Sequence, residues 1–247
     1  MTKSADLRFY AELRDFLSFD RLSGTVTRSF DVAGSVKDMI EACGVPHTEV
    51  DVILANGGAV DFAYRMQDGD RIGVYPRFWT FDIEPSWRVG PEPPSESRLV
   101  LDVHLGRLTR YLRLLGFDAA YDPGTDDPQL VEVSTRDSRV LLTRDIGLLM
   151  YGVLEYGYFV RAVDPFEQLT EVARRFDLMG SIDAFTRCVA CNGALEPVAK
   201  EDIADRLAPR TRRHYDDFRR CADCAHIYWK GSHYARLQKV VDRIRDL

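Results

Sequence analysis

Two short apolar runs constrain this chain most: Leu99-Val-Leu-Asp102 and Val140-Leu-Leu-Thr-Arg-Asp145, each ending on an aspartate. Consecutive apolar residues without polar alternation read as strands buried on both faces, as in a parallel sheet covered by helices. Ligands of such sheets gather beyond the carboxyl ends of the strands. Asp102 and Asp145 are expected at that edge. Two carboxylates held close together repel, and a cation relieves the repulsion, so a divalent-metal site for phosphate chemistry is the first expectation.

The stretch around these runs alternates strictly: strand 98–102, helix 105–116, strand 118–121, helix 127–136, strand 139–143, helix 145–155, strand 158–162 and helix 166–178. That order implies an α/β parallel sheet with flanking helices. At 100° per residue, Leu105, Leu108, Leu112 and Leu115 fall within about 80° of arc, while Arg107, Arg110 and Arg113 occupy a separate arc of about 120°. Gly116 stops the helix. The arginine row reads either as a solvated face or as a grip for phosphates, because guanidinium groups pair bidentately with phosphate oxygens. Asp126 and Asp127 precede Pro128 at the start of the next helix, so one of them is an N-cap. Capping would also account for Asp145, and three acids converging on one edge weigh more than any one. Asp164, before Pro165, reads as a helix cap.

The chain has 247 residues, which implies two or three modules. Residues 1–83 show alternating strands around Leu7, Phe9 and Ala11 and around Val26 and Phe30. A capping box at Ser35-Val-Lys-Asp38 opens a helix that ends near Gly44. Val50–Leu54, a turn at Asn56-Gly57-Gly58, a turn at Asp68-Gly69 and a strand at Arg71–Tyr75 follow. This is an α+β pattern. Residues 84–97, rich in proline, read as a linker, partly extended; residues 98–180 form the α/β module and 181–247 a last module. The net charge of −6 excludes a uniformly basic nucleic-acid coat and leaves room for local basic patches. No apolar run approaches the roughly 20 residues that span a bilayer, and the N-terminus lacks the apolar core of a secretory signal. A cytoplasmic protein with no membrane partner is expected.

Cys188-Val-Ala-Cys191 and Cys221-Ala-Asp-Cys224 are two C-x-x-C knuckles, a tetrahedral-zinc signal because each pair offers two thiolates on one tight turn. A structural Zn²⁺ would stabilise a segment too short to bury much core. His226 and His233 stand near enough to compete as ligands. Between Arg206 and Arg220, six arginines face Asp216 and Asp217, leaving a net +4. Arg210, Arg212 and Arg213 in this loop, with Tyr215, Phe218, Tyr228 and Trp229, combine charge for phosphates with rings for bases. The competing reading is a small aromatic core under a solvated charge. Residues 234–247 read as an amphipathic helix with Leu237, Val240, Val241 and Ile244 on one side.

Two resemblances follow from these residues. The order of the first module, with NGGAVDFAYRMQDGDRIGVYP, resembles the ubiquitin-like β-grasp modules related to the sulfur carriers of thiamin and molybdopterin synthesis. Those carriers are activated on a free C-terminal Gly-Gly, whereas Gly57-Gly58 lies in an internal turn, so a binding or stabilising role with a protein partner is implied instead. The blocks LVLDVHLGRLTRYLRLLGFDAAYDP, DDPQLVEVSTRDSRVLLTRD and IYWKGSHY resemble the Mut-seven C-terminal RNase family, a branch of the PIN-type ribonucleases, over residues 98–235. The resemblance implies a metal-dependent ribonuclease with RNA as its substrate. Asp102, Asp127 and Asp145 would hold Mg²⁺ or Mn²⁺, Thr143 would orient a carboxylate, and Arg107 and Arg144 would neutralise developing charge. Arg107, Arg110, Arg113, Arg144, Arg210, Arg212, Arg213 and His233 are the candidate RNA contacts. Longer PIN domains carry a further acid where this chain has only Tyr121–Thr125, which favours one metal ion over two. The alternative is a catalytically silent RNA- or ribosome-associated binding protein that keeps the PIN-like shell.

Overall fold

A computed structural model describes residues 2–18, 23–77, 83–92 and 98–247. Two compact units divide the chain: Met1–Pro93 with Val131–Ser138 and Asp145–Phe159, and Pro94–Leu130 with Arg139–Arg144 and Val160–Leu247.

In the first unit, β1 (Lys3–Phe9), β2 (Thr25–Phe30), β3 (Val52–Ala55), β4 (Gly58–Val60) and β5 (Arg71–Tyr75) form a sheet of order β2-β1-β5-β3-β4. Only β1 and β5 run parallel; the other pairs are antiparallel. Ala5, Leu7 and Phe9 point inward from β1 and meet Val36 and Ile40 of α1 (Val36–Ala42), with Ile53, Met66, Ile72 and Val74 closing the core. One helix on a mixed sheet of this order is a β-grasp. The inward alternation stops at Phe9, because Ala11 takes a left-handed φ of 47° and opens a 3₁₀ turn over Ala11–Phe16. Ser35 caps α1: its hydroxyl accepts from the Asp38 N–H at 3.1 Å and the Asp38 carboxylate accepts from the Ser35 N–H at 3.2 Å. The Ser35 hydroxyl also donates to Asp38 Oδ2 at 2.7 Å, and together with the Ser35 N–H it holds the Asp38 carboxyl below its ordinary range. Asn56 and Gly57 both have positive φ, 52° and 92°, as the type I′ hairpin joining β3 to β4 requires.

The same unit takes in residues 145–159. Of the helix expected over 145–155, only α4 (Ile146–Leu149) forms. Gly147 lies within it and Gly152 shortly beyond, and each lowers the propensity to continue; the chain turns instead, with the Leu154 N–H donating to the Tyr151 carbonyl at 2.9 Å. A short strand, β9 (Gly157–Phe159), follows. The segment is clasped by the β-grasp. The His47 Nε2 donates to the Leu154 carbonyl at 2.9 Å, and the Phe159 N–H donates to the buried Glu49 carboxylate at 2.6 Å. The Phe159 ring stands edge-on to Phe16 at 5.5 Å. Residues 84–92 of the expected linker also pack on this unit. Pro85–Trp87 forms a 3₁₀ turn, Arg88 pairs with Asp51, and the Val89 N–H donates to the Asp51 carbonyl. Residues 93–97 of that stretch lie outside the described residues.

In the second unit, β6 (Leu99–Leu101) lies between β7 (Ala119–Ala120) and β8 (Val140–Thr143), and all three run parallel. The Val160 N–H continues the ladder onto the Thr143 carbonyl at 2.8 Å. Helix α2 (Gly106–Leu114) presents the expected leucine stripe, with Leu105, Leu108, Leu112 and Leu115 fully buried, and packs on α5 (Pro165–Arg175). Gly116 ends α2 at φ 97°, and a Cβ there would collide with the Asp183 carbonyl. Helix α3 (Asp127–Arg136) precedes β8.

The last part of this unit is a three-stranded antiparallel sheet of order β10-β11-β12, comprising β10 (Leu195–Val198), β11 (Phe218–Cys221) and β12 (Ile227–Trp229). The long insertion between the cysteine pairs is folded. It carries β10, a 3₁₀ turn at Glu201–Arg206 and α6 (Pro209–His214), and encloses a small core of Ile203, Leu207 and Phe218 flanked by Tyr215. Phe218 and Tyr215 therefore serve packing, and of the rings expected to meet bases only Trp229 is exposed. Helix α7 (Tyr234–Arg245) closes the chain on Val241 and Ile244. Among the described residues no helix is long and apolar enough to cross a membrane.

Candidate active site and metal centre

Strand β6 delivers Asp102 to its carboxyl end, where the side chain caps the 3₁₀ turn Val103–Leu105. The carboxylate is 4 % exposed and accepts three hydrogen bonds. Its Oδ1 takes the His104 N–H at 2.7 Å; its Oδ2 takes the Arg144 N–H at 3.1 Å and the hydroxyl of the fully buried Thr143. A carboxylate offers about four lone-pair positions, so one position, on Oδ1, takes no hydrogen bond and is bordered by the His104 ring. The expected orienting role of Thr143 thus has a contact behind it. The His104 ring, two-thirds exposed, places Nδ1 3.4 Å from the same Oδ1. Sequence reasoning passed over His104; the signal was its place two residues beyond Asp102, at a strand-to-turn junction.

The neighbouring pair of acids divides its work. Asp126 is the cap: its Oδ1 accepts from the Gln129 N–H at 3.0 Å, and the Gln129 side-chain carbonyl accepts from the Asp126 N–H at 3.2 Å. Asp127, in the first turn of α3, is exposed, and its carboxylate has no hydrogen bond or ion pair among the described residues. Asp145 is exposed and caps α4, accepting from the Gly147 N–H at 2.7 Å. Asp164 caps α5 through the N–H groups of Phe166 and Glu167.

The arginine row on α2 is shorter than its periodicity implies. Arg107 and Arg110 are exposed and without partners among the described residues. Arg113 is 4 % exposed and donates to the carbonyls of Ala119 at 2.9 Å, Val189 at 3.3 Å and Ala190 at 2.8 Å. It cannot present itself to RNA. Burial pulls its guanidinium below the ordinary arginine range, and the nearby Cys191 and Cys188 work against that. Arg144 is also committed, with Nη1 on the carbonyls of Val160, Arg161 and Ala162; its contribution to Asp102 is the backbone N–H rather than a free charge.

The four cysteines converge. The sulfurs of Cys188, Cys191, Cys221 and Cys224 all lie within 4.8 Å of one another, with 3.6 Å between Cys188 and Cys224 and 3.4 Å between Cys191 and Cys221. A tetrahedron with 2.3 Å metal–sulfur bonds has edges of about 3.8 Å, so the set fits such an ion, zinc included. Left-handed Asn192 and Ala225 close the two knuckles, and no disulfide joins them. Burial pushes the Cys188 thiol up, but the Tyr228 hydroxyl at 3.1 Å and the N–H groups of Cys191 and Ala190 outweigh it, leaving it at about 7. The first knuckle is bolted to the parallel sheet through Arg113 and through Asn192, which accepts from the Ala119 N–H at 3.1 Å and donates to Asp118 at 2.7 Å. Among the described residues the cysteines are the gathered ligand set; Asp102 and Asp127 are not part of one. Arg210, Arg212 and Arg213 lie exposed on α6, and His233 stands exposed at the start of α7.

Comparisons with known proteins divide the chain in two. Residues 2–82 match the Mut7-C ubiquitin family and residues 97–241 the Mut7-C RNAse domain family. No curated protein matches. Two crystal structures of the small archaeal modifier protein 1 (SAMP1) of Haloferax volcanii align over 31 % and 32 % of this chain and 99 % of theirs, each at 19 % identity and a TM-score of 0.26. With more than half its length in the second match, and with the leucine-striped helix, the aspartate-ended strands and the paired cysteines in their expected places, the chain belongs to the Mut7-C RNAse domain family.

Proposed function

We propose that this protein is a metal-dependent ribonuclease that hydrolyses RNA phosphodiesters at Asp102, Asp127 and Asp145. The observation that carries the reading is Asp102: a carboxylate buried at the carboxyl end of the central parallel strand, oriented by Thr143 and two backbone N–H groups, with one lone-pair position left on Oδ1. Oxygen donors of this kind suit a hard cation such as Mg²⁺ or Mn²⁺. Bound there, the ion would supply an activated water and polarise a phosphoryl oxygen. The protein's own residues divide the remaining work. Thr143 and the Arg144 N–H keep Asp102 from turning, and Asp127, relieved of capping by Asp126, offers an unengaged carboxylate. The Asp145 carboxylate follows directly on β8, and Arg107, exposed one turn after Asp102, can meet a phosphate. The four cysteines hold a structural Zn²⁺, and the arginines of α6 assist RNA binding. The β-grasp module takes a protein partner.

The test pairs the unaltered chain with an Asp102→Asn/Asp145→Asn variant on single-stranded and structured RNA with Mn²⁺, with and without chelator. Cleavage that needs both the metal and the aspartates is expected. Equal trace cleavage by the two proteins would sink the nuclease and favour a second reading, an RNA-binding protein with a silent PIN-like shell. Asp102 and Asp127 standing outside any gathered ligand set speaks for that second reading.

A further inference from the structure

A cavity of about 470 Å³ opens beside the cysteine cluster, within the roughly 300–1,000 Å³ of small-ligand sites. Leu114, Leu195 and Leu237 give it an apolar floor, and Phe185, Trp229 and Tyr234 give it flat walls. Trp229 is 41 % exposed, and its indole N–H has no partner among the described residues. Phe185 holds a left-handed φ of 64°, a conformation that costs an aromatic residue energy and persists only where its surroundings impose it. Here the Phe185 N–H donates to the Leu114 carbonyl at 2.9 Å and its carbonyl accepts from Arg219 at 3.4 Å, which sets the ring 4.8 Å from Tyr234. The rim is cationic. Arg219 and Lys230 line it against one acid, Asp217, which Lys230 meets at 3.4 Å, while Arg187 lies on the lining with its guanidinium on the carbonyls of Gly116 and Asn192.

Resting on the ribonuclease reading, we propose that this cavity receives one unstacked base of a single-stranded RNA, stacked on Trp229, with Arg219 and Lys230 toward the adjoining phosphates. Every base has a face that stacks on an aromatic ring, and the surplus positive charge matches a polyanion rather than an apolar peptide. The site therefore grips an unpaired segment without reading its sequence. Duplex RNA keeps its bases stacked and cannot enter.

Anisotropy of a labelled single-stranded hexaribonucleotide tests this on the full chain without added Mg²⁺ or Mn²⁺, so that binding is read apart from cleavage. Trp229→Ala should weaken binding about tenfold (about 1.4 kcal/mol), and Trp229→Phe should restore most of it. Leu237→Glu, at a position already 37 % exposed, should repel the strand by a comparable factor without touching the core. Metal content and circular dichroism of each variant confirm its fold. Binding within twofold of the parent for both Trp229→Ala and Leu237→Glu would overturn the proposal, as would duplex RNA binding as tightly as the single strand. Free AMP competing as effectively as the strand would overturn it in favour of a mononucleotide site. Because none of these readouts involves hydrolysis, the cavity assignment falls or stands separately from the nuclease.

Discussion

Replacing Arg113 by methionine separates the two roles that an arginine on α2 can have. The substitution keeps the aliphatic stem and removes a guanidinium that satisfies three carbonyls, Ala119, Val189 and Ala190. A buried acceptor left unpaired costs about 1–3 kcal/mol. Ala119 is fully buried whereas Ala190 is exposed, so water replaces part of the loss at the knuckle. Escape from desolvating the charge offsets a further part, and a net destabilisation of about 2–3 kcal/mol is expected. The same guanidinium sits beside Cys188 and Cys191, and groups that support metal ligands in this way are worth about 10–100-fold in metal affinity. Urea unfolding followed by circular dichroism reads the first quantity, and competition for zinc with a chromophoric chelator reads the second. If Arg113→Met unfolds within about 0.5 kcal/mol of the parent, a surface-substitution value, and loses RNA affinity instead, the buried assignment is wrong and the three-arginine row is right.

Three further outcomes are expected. Asp126→Ala should cost about 1 kcal/mol of stability through the lost cap while cleavage persists, and Asp127→Ala should do the reverse; matched effects in both assays would erase the division between them. In a double-mutant cycle, Asp102→Asn and Thr143→Val should couple by about 0.5–3 kcal/mol in unfolding experiments, and strict additivity would deny their hydrogen bond. Burial pushes Asp118 up, but Arg139, Asn192 and the charge of Arg187 hold it below the ordinary carboxylate range. Its contribution is therefore full above the ordinary carboxylate pKa of about 4 and fades as pH falls through the lowered value. Stability curves of the parent and Asp118→Asn should be apart at neutral pH and converge in acid; a constant gap would contradict the ion pair.

What the sequence disclosed was whatever depends on near neighbours. Ser35 and Asp38 are three residues apart, Asn56-Gly57 suits one turn type, and the leucine stripe of α2 follows from helical geometry alone. The cysteines, though distant, announce their meeting by chemistry. Arg113 was misjudged because a helical wheel records the face of a residue and not what arrives there from 76 positions away. The residues after Asp145 looked helical from their apolar spacing, but two glycines within six positions outweigh the pattern. Asp126 and Asp127 were separable in principle, since only Asp126 stands three residues before Gln129, the spacing of a reciprocal cap. His104 went unnoticed because an exposed histidine carries no periodicity.

Residues 145–159 share a compact unit with the first 93, and that has a consequence for how such a protein can be divided. The boundary suggested by the two family matches, between residues 82 and 97, runs through a stretch of chain but not through a gap in packing. Expressing the two sides of that boundary apart would strip the β-grasp partners from Leu154 and Phe159 and leave His47 and Glu49 without their backbone partners. The ubiquitin-like module is thus no detachable tag. It is the host of a fifteen-residue guest, residues 145–159, that the chain supplies from far beyond the module's own sequence.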